Sequence, residues 1–171
     1  GGAFFLRRSF RAQPLYSAVF NEYVRTIIDK GVALEYFVEG TRSRTGRSLP
    51  PRAGMLSITV RAFLRDRRRP VMFQPVYIGY ERLAEGSSYI TELSGRQKKP
   101  ESLSDFRNVI NILRKNYGQV QVSFGEPIRL DPLLDEYAPG WTEQTLDPQA
   151  KPEWLVPLVN DLAERIIVHI N

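Results

Sequence analysis

Apolar and polar positions follow two rhythms along this chain, and their order predicts a β-α-β beginning. Val32, Leu34, Tyr36 and Val38 fall at every second position, the period of a half-buried strand. Upstream, Leu15, Val19, Tyr23 and Ile27, with Phe20, Val24 and Ile28 beside them, recur at helical spacing behind Pro14. Gly31 stands where such a helix would end. Before the helix the chain opens on a short apolar strand, Ala3-Phe4-Phe5-Leu6. Residues 3–38 therefore read as β-α-β, an arrangement that favours a right-handed crossover and parallel pairing.

The pattern continues in the same style. Pro50-Pro51 stops the chain, and a second helix is predicted over 54–66, packing through Met55, Ile58, Ala62 and Phe63. A third strand spans 70–80; Pro75 inside it removes a ladder donor and so predicts a bulge or a strand end. Residues 81–100 are polar and read as a surface loop. A third helix follows at about 102–116, with Leu103, Phe106, Val109, Ile110 and Leu113 at helical spacing. Gly118 ends it, and Val120, Val122 and Phe124 alternate as a fourth strand. Residues 131–153 are proline-rich and read as irregular; a last helix runs over about 153–170 through Trp154, Leu155, Leu158, Leu162, Ile166 and Ile167. The predicted fold is a single α/β domain over 1–171, a mostly parallel central sheet flanked by helices. Because the chain opens inside an apolar strand and is still apolar at Ile170, it is expected to be a piece of a longer catalytic domain, cut at both ends.

Composition narrows the chemistry. Of 171 residues, 42% are hydrophobic and 25% charged, ordinary values for a globular domain. No apolar run approaches the ~20 residues of a membrane-spanning helix. The sequence has no cysteine and one histidine, His169, which excludes disulfides and cysteine or histidine metal clusters within it. The net charge of +5 directs attention to acidic partners: phosphorylated metabolites, anionic lipid, acidic carrier proteins or nucleic acid. No cofactor is called for.

At Glu39 the alternation stops. Glu39-Gly40-Thr41-Arg42-Ser43-Arg44-Thr45-Gly46-Arg47 places one carboxylate, two glycines and three arginines at the carboxyl end of a predicted strand. Glycines permit tight turns and close backbone approach, and guanidinium forks suit phosphate or carboxylate. The carboxyl edge of the sheet is where open α/β folds bind ligands.

Phe37-Val38-Glu39-Gly40-Thr41-Arg42-Ser43-Arg44 resembles the third sequence block of the glycerol-3-phosphate acyltransferase superfamily, in the wording of its bacterial membrane-associated branch. Gly2-Ala3-Phe4-Phe5-Leu6-Arg7-Arg8 resembles the second block, in family order. Val71-Met72-Phe73-Gln74-Pro75-Val76 is a looser match to the fourth, and Gly125-Glu126-Pro127 is similar to a turn after a late strand. The resemblance implies acyl transfer from acyl-CoA or acyl carrier protein to the first hydroxyl of glycerol 3-phosphate, at the cytoplasmic face of the bacterial inner membrane. It implies that Arg7, Arg8, Arg42 and Arg44 hold the acceptor phosphate. Glu39 would bind or brace the glycerol part beside Gly40 and Thr41, with Pro75 on the acyl side or in the scaffold. The family's general base is a histidine in a His-x-x-x-x-Asp block upstream of the second block, which this chain lacks. His169 follows every block, and Glu39 among arginines is a poor base. The chain is thus expected to hold the acceptor-binding half of a site and to be inactive alone.

Two other readings stay open. The acceptor could be dihydroxyacetone phosphate or lysophosphatidate, as elsewhere in the superfamily. A basic nucleic-acid module would fit the charge, but no binding motif appears and the aromatics fall at core spacing, so no nucleic-acid partner is expected. The run Arg65-Asp66-Arg67-Arg68-Arg69 reads as a solvated helix end, or as a contact with an anionic membrane surface to which the protein attaches peripherally.

Overall fold

The computed structural model describes residues 2–4, 6–7, 13–41, 49–80, 118–143 and 152–170. The predicted helix at 102–116 and the loop at 81–100 lie outside them. In chain order the elements are α1 (Pro14–Asp29), α2 (Gly54–Asp66), β1 (Met72–Phe73), β2 (Val76–Tyr80), β3 (Val120–Phe124), β4 (Ile128–Arg129), α3 (Leu130–Tyr137) and α4 (Leu155–Ile170).

Helix α2 is the centre of the packing, because it is apolar on two sides. Ala62, with Met55 and Ile58 partly buried, faces Phe20, Val24 and Ile28 of α1. Leu56, Val60, Phe63 and Leu64 face the larger core with Leu130, Leu133 and Leu134 of α3 and Leu158, Leu162 and Ile166 of α4. Leu56 and Val60 are fully buried. Full burial of such a side chain stabilises by roughly 1.5–3 kcal/mol, so α2 anchors both clusters. Sequence periodicity had found the first face and, of the second, only Phe63.

Helix α1 corrects the expectation in the other direction. Its packing row is Phe20 and Val24, whereas Leu15 is 78% and Val19 61% exposed. Ion pairs fix its orientation. Glu22 accepts from Arg65 at 3.0 Å, Arg25 pairs with Asp66, and Asp29 meets Arg68 at 3.6 Å. Sequence number rises on both helices along this series, so α1 and α2 lie parallel with their carboxyl ends together. Two adjacent helix C-termini concentrate partial negative charge, and the arginine run supplies the compensating cations. Arg25 and Arg65 in turn hold the Glu22 carboxyl below its ordinary range, Arg25 through its hydrogen bond first.

The arginine run is therefore more than a solvated helix end. Arg67 follows α2 with φ of 50°, a left-handed conformation that costs a non-glycine residue about 1–2 kcal/mol. Its side chain offsets this: Nε donates to the Leu64 carbonyl at 3.0 Å, Nη1 donates to the Thr142 carbonyl at 2.8 Å, and the guanidinium lies 5.6 Å from the Trp141 ring centre. Arg67 ties the end of α2 to the turn after α3.

The strands also depart from expectation. Both described sheets are two-stranded and antiparallel, β1 with β4 and β2 with β3; no parallel pairing occurs among the described residues. Together they form one ribbon with a bulge. Two residues separate Phe73 from Val76, while three separate Phe124 from Ile128. Pro75 lies in the bulge, as its missing N–H predicts, and Gln74 fills the gap by donating from Nε2 to the Gly125 carbonyl at 2.7 Å. Gly125 has no room for a side chain: a Cβ there would sit 2.8 Å from the His169 carbonyl oxygen, at the end of α4. The cross-strand pairs Val76–Phe124, Ile78–Val122 and Tyr80–Val120 put six apolar side chains on one face of the ribbon, all exposed.

Residues 32–37 form no strand and Val38 lies in a turn, and the described residues of 2–7 form no strand either. The alternation is real from Leu34 onward, but Val32, expected to be buried, is 56% exposed. Leu34, Tyr36 and Val38 turn inward against the two cores, while Ala33, Glu35 and Phe37 are exposed. Residues 130–137, expected to be irregular, form α3, because Leu130, Leu133 and Leu134 share one buried face.

Candidate functional site

The inward face of 32–38 delivers the chain to Glu39 at the edge of the main core, where Tyr36 and Val38 are packed. Gly40 then adopts φ of 64°, the left-handed region that glycine enters freely, and its N–H donates to the Phe37 carbonyl at 3.0 Å. The chain leaves this position and returns at Leu49. There the Leu49 N–H donates to Oε2 of Glu39 at 3.0 Å, and the Arg52 N–H donates to the Val38 carbonyl at 2.7 Å. The stem of Arg52 lies over Gly40, 3.3 Å from where a Cβ would stand. Residues 38–40 and 49–52 thus form the joined base of a loop, and α2 begins two residues after Arg52.

Of the residues singled out in the sequence, Glu39, Gly40 and Thr41 sit at this base. Glu39 is partly buried, and Gly40 and Thr41 are exposed. Arg42 and Arg44 lie outside the described residues, as does Arg8. Arg7 is described and exposed. Its backbone N–H donates to the Tyr16 hydroxyl at 3.3 Å, its guanidinium lies 5.1 Å from the Tyr16 ring centre, and Nη1 donates to the Gln13 side chain. It is held at the entry to α1, and no hydrogen bond or ion pair joins it to Glu39, Gly40 or Thr41 among the described residues. Pro75 is buried in the ribbon bulge, a scaffold position.

Sequence reasoning missed Leu49 and Arg52 as partners of this base. A contact across ten residues has no periodic signature; the one available signal was Pro50-Pro51, which fixes the returning strand and offers no N–H. No group of histidine, cysteine or carboxylate side chains among the described residues could hold a metal ion. Nδ1 of His169 donates to the Arg165 carbonyl at 2.7 Å, and Nε2 lies 3.9 Å from Glu126. It belongs to the contact between α4 and the bulge.

Chemically, the base presents a carboxylate already engaged by a backbone amide and an exposed arginine, Arg52, whose apolar stem lies over Gly40. Behind it, Tyr36 brings a buried hydroxyl with no partner at hydrogen-bond geometry among the described residues. Burial pushes its pKa up from 10.0 to about 12, against a smaller opposing pull from Thr59, whose own hydroxyl donates to the Met55 carbonyl at 3.0 Å.

Two family models match the chain. One described as the acyltransferase family covers residues 1–79, and one described as the glycerol-3-phosphate acyltransferase C-terminal region covers 89–171. Curated relatives match along its whole length. Proteins named glycerol-3-phosphate acyltransferase are 56% identical over 171 residues in Ectopseudomonas mendocina (strain ymp) and 57% in Pseudomonas entomophila (strain L48) and Pseudomonas putida (strain W619). The chain spans about a fifth of the length of these relatives, 21% of each.

The buried Tyr36 hydroxyl yields a sign-defined prediction. Below pH 10 the phenol is neutral in both states; between 10 and about 12 only the unfolded chain ionises, so the native state loses stability as pH rises. Tyr36→Phe removes a buried hydroxyl that meets hydrogen-bond geometry with none of the described residues, Thr59 being its nearest polar influence. Denaturant melts should show a change within about 1 kcal/mol at pH 7 and a shallower alkaline decline than the unsubstituted protein. A loss of several kcal/mol at pH 7 would mean that the hydroxyl has a partner.

Proposed function

The chain belongs to the glycerol-3-phosphate acyltransferase family, and from that premise we propose that it is the acceptor-binding part of a glycerol-3-phosphate 1-O-acyltransferase. The parent protein would transfer an acyl group from acyl-CoA or acyl carrier protein to the sn-1 hydroxyl, giving lysophosphatidate for phospholipid synthesis. The hydroxyl oxygen attacks the thioester carbonyl, a C–O bond replaces the C–S bond, and the thiol leaves with the proton taken from the hydroxyl. The single observation that carries this reading is the 56% identity to proteins of that name over every residue of the chain.

Within that reaction the residues here bind and orient. Arg8, Arg42 and Arg44 surround the acceptor phosphate, with Arg7 held at the entry to α1 as a nearby cation. The joined base at Glu39–Gly40 and Leu49–Arg52 sets where Thr41 and the arginines of the loop begin and end. A phosphate dianion must shed water to bind, and guanidinium forks return those hydrogen bonds. The proton acceptor is a histidine of the parent chain outside these residues, so the 171-residue chain alone turns over no substrate. The parallel alignment of α1 and α2 supports the view that in the parent domain they cover one face of a mostly parallel sheet, to which residues 32–38 belong. Pro75 serves that scaffold near the acyl side.

Attachment to the cytoplasmic face of an anionic inner membrane would be peripheral; none of the described helices is long and apolar enough to cross a bilayer. The engaged arginines divide the basic run. Arg65 and Arg67 serve α1 and Trp141, whereas the Arg68 side chain is 70% exposed and Arg69 is exposed.

In the full-length parent, Arg8→Ala or Arg42→Ala should raise the KM for glycerol 3-phosphate roughly ten- to hundredfold, the loss expected for one charged hydrogen-bond partner. The KM for the thioester should stay within about twofold, and lysine should rescue only in part because it lacks the fork. Equal effects on both substrates would remove these arginines from the acceptor site. For the membrane, Arg68→Gln with Arg69→Gln should weaken sedimentation with phosphatidylglycerol vesicles and lower Tm less than Arg65→Gln with Arg67→Gln does, because Arg68 meets Asp29 only at 3.6 Å. Vesicle binding that ignores residues 68 and 69 would place the membrane contact elsewhere.

A further inference from the structure

We propose that Arg52 is a further acceptor-binding residue: its guanidinium, led over Gly40, takes the phosphate of glycerol 3-phosphate. The role in the reaction rests on the acceptor reading above; the placement of Arg52 rests on geometry alone.

Arg52 is held in the base by its backbone and by its stem. Pro50 and Pro51 precede it, and their fixed φ angles stiffen its approach. Its N–H donates to the Val38 carbonyl at 2.7 Å. Its Cγ and Cδ each lie 3.3 Å, and its Cβ 3.4 Å, from where a Cβ on Gly40 would stand. Gly40, at φ of 64°, leaves that space open. The stem is thus laid across the chain at Gly40. The guanidinium, bonded to Cδ, is delivered there, one residue before the exposed Thr41.

Nothing in the described fold uses that charge. Arg25, Arg65, Arg68, Arg129 and Arg165 each meet a carboxylate, Arg7 donates to Gln13, and Arg67 donates to two backbone carbonyls. The Arg52 side chain has neither a hydrogen bond nor an ion pair among the described residues. Even the Glu39 carboxylate in the same base, which accepts the Leu49 N–H at 3.0 Å, forms no ion pair with it. The position also runs against the helix that follows. Helix α2 starts two residues later with no side-chain cap and no acid in its first turn, and a cation ahead of a helix amino end is unfavourable. Arg69 makes the contrast. It too is unpaired, but it lies over Gly31 at the carboxyl ends of α1 and α2, where a cation is favourable. An exposed arginine held stiffly where it opposes its own helix breaks a local rule, and such breaks mark functional positions. A phosphate dianion in front of Gly40 removes the conflict, because it engages the fork and reverses the sign of the charge ahead of α2.

The test reads each arginine of the full-length parent separately. Phenylglyoxal modifies accessible guanidinium groups, and peptide mass spectrometry gives the rate at each position. With glycerol 3-phosphate at about ten times its Kd, modification of Arg52 should slow roughly tenfold and that of Arg69 should hold. Acyl-CoA alone should protect neither. This arm uses the unsubstituted protein and so stands whether or not a variant folds. In kinetics, Arg52→Ala should raise the KM for glycerol 3-phosphate roughly tenfold and keep the KM for acyl-CoA within about twofold. Arg52→Lys should recover only part of the loss, since it keeps the charge without the fork. An unchanged KM for glycerol 3-phosphate in a folded Arg52→Ala variant would overturn the proposal. Protection of Arg52 by acyl-CoA and not by glycerol 3-phosphate would assign it to the donor and overturn it as well. Arg52 modified at its free rate while glycerol 3-phosphate protects other arginines of residues 1–171 would overturn the proposal and leave the functional reading standing. Protection of none of them would overturn both.

Discussion

Two helices lying parallel with their carboxyl ends together create an electrostatic problem that the rest of this structure is arranged to solve. The partial negative charges at the ends of α1 and α2 would repel across the contact between Phe20, Val24 and Ala62. Arg25, Arg65 and Arg68 bridge them to Glu22, Asp66 and Asp29, and Arg69 lies over Gly31 just beyond α1. With α1 held in that way, α2 is free to spend its opposite face on α3 and α4. Arg67 then carries the same end of α2 to Trp141, whose indole N–H donates to Asp135 at 2.8 Å. Packing and charge are therefore not separate contributions here; the ion pairs allow an alignment that the apolar faces alone would resist.

That alignment sets the place of the loop. The amino end of α2 follows the returning residues 49–52, and the inward residues Tyr36 and Val38 bring the outgoing end to the same core. The loop base is thus supported by the core on one side and by the start of the most buried helix on the other. The bulge at Pro75 and Gly125 plays a matching part for the ribbon, seating it against the end of α4 through a contact that tolerates no side chain at residue 125.

Much of this was legible in the chain. The two long helices flanking the loop were bounded to within a residue, Pro75 announced the interruption of its strand, and the blocks around Arg8 and Glu39 gave the family. What escaped the sequence did so for identifiable reasons. Apolar spacing does not say how wide a buried face is, so Leu56, Val60 and Leu64 of a two-faced helix went unassigned, and Leu15, Val19 and Tyr23 of α1 were given to the core beside Phe20, Val24 and Ile28, which do pack. Helix α3 hid among prolines because its packing residues number three. The parallel sheet was inferred from the alternation at 32–38, which marks a buried face but does not name a ladder partner; the described ladders are antiparallel. The tie between Glu39 and Leu49 joins residues ten apart, and no local pattern encodes it.

The central claim is that the acceptor is received at the loop base in front of α2. Hydrogen exchange of the full-length parent, with and without saturating glycerol 3-phosphate, tests it most directly. Slower exchange is expected at residues 38–41, at Leu49 and Arg52, and in the first turn of α2, with the ribbon at 120–129 and α4 unchanged. Protection confined to other parts of the chain, or none within residues 38–56, would contradict it.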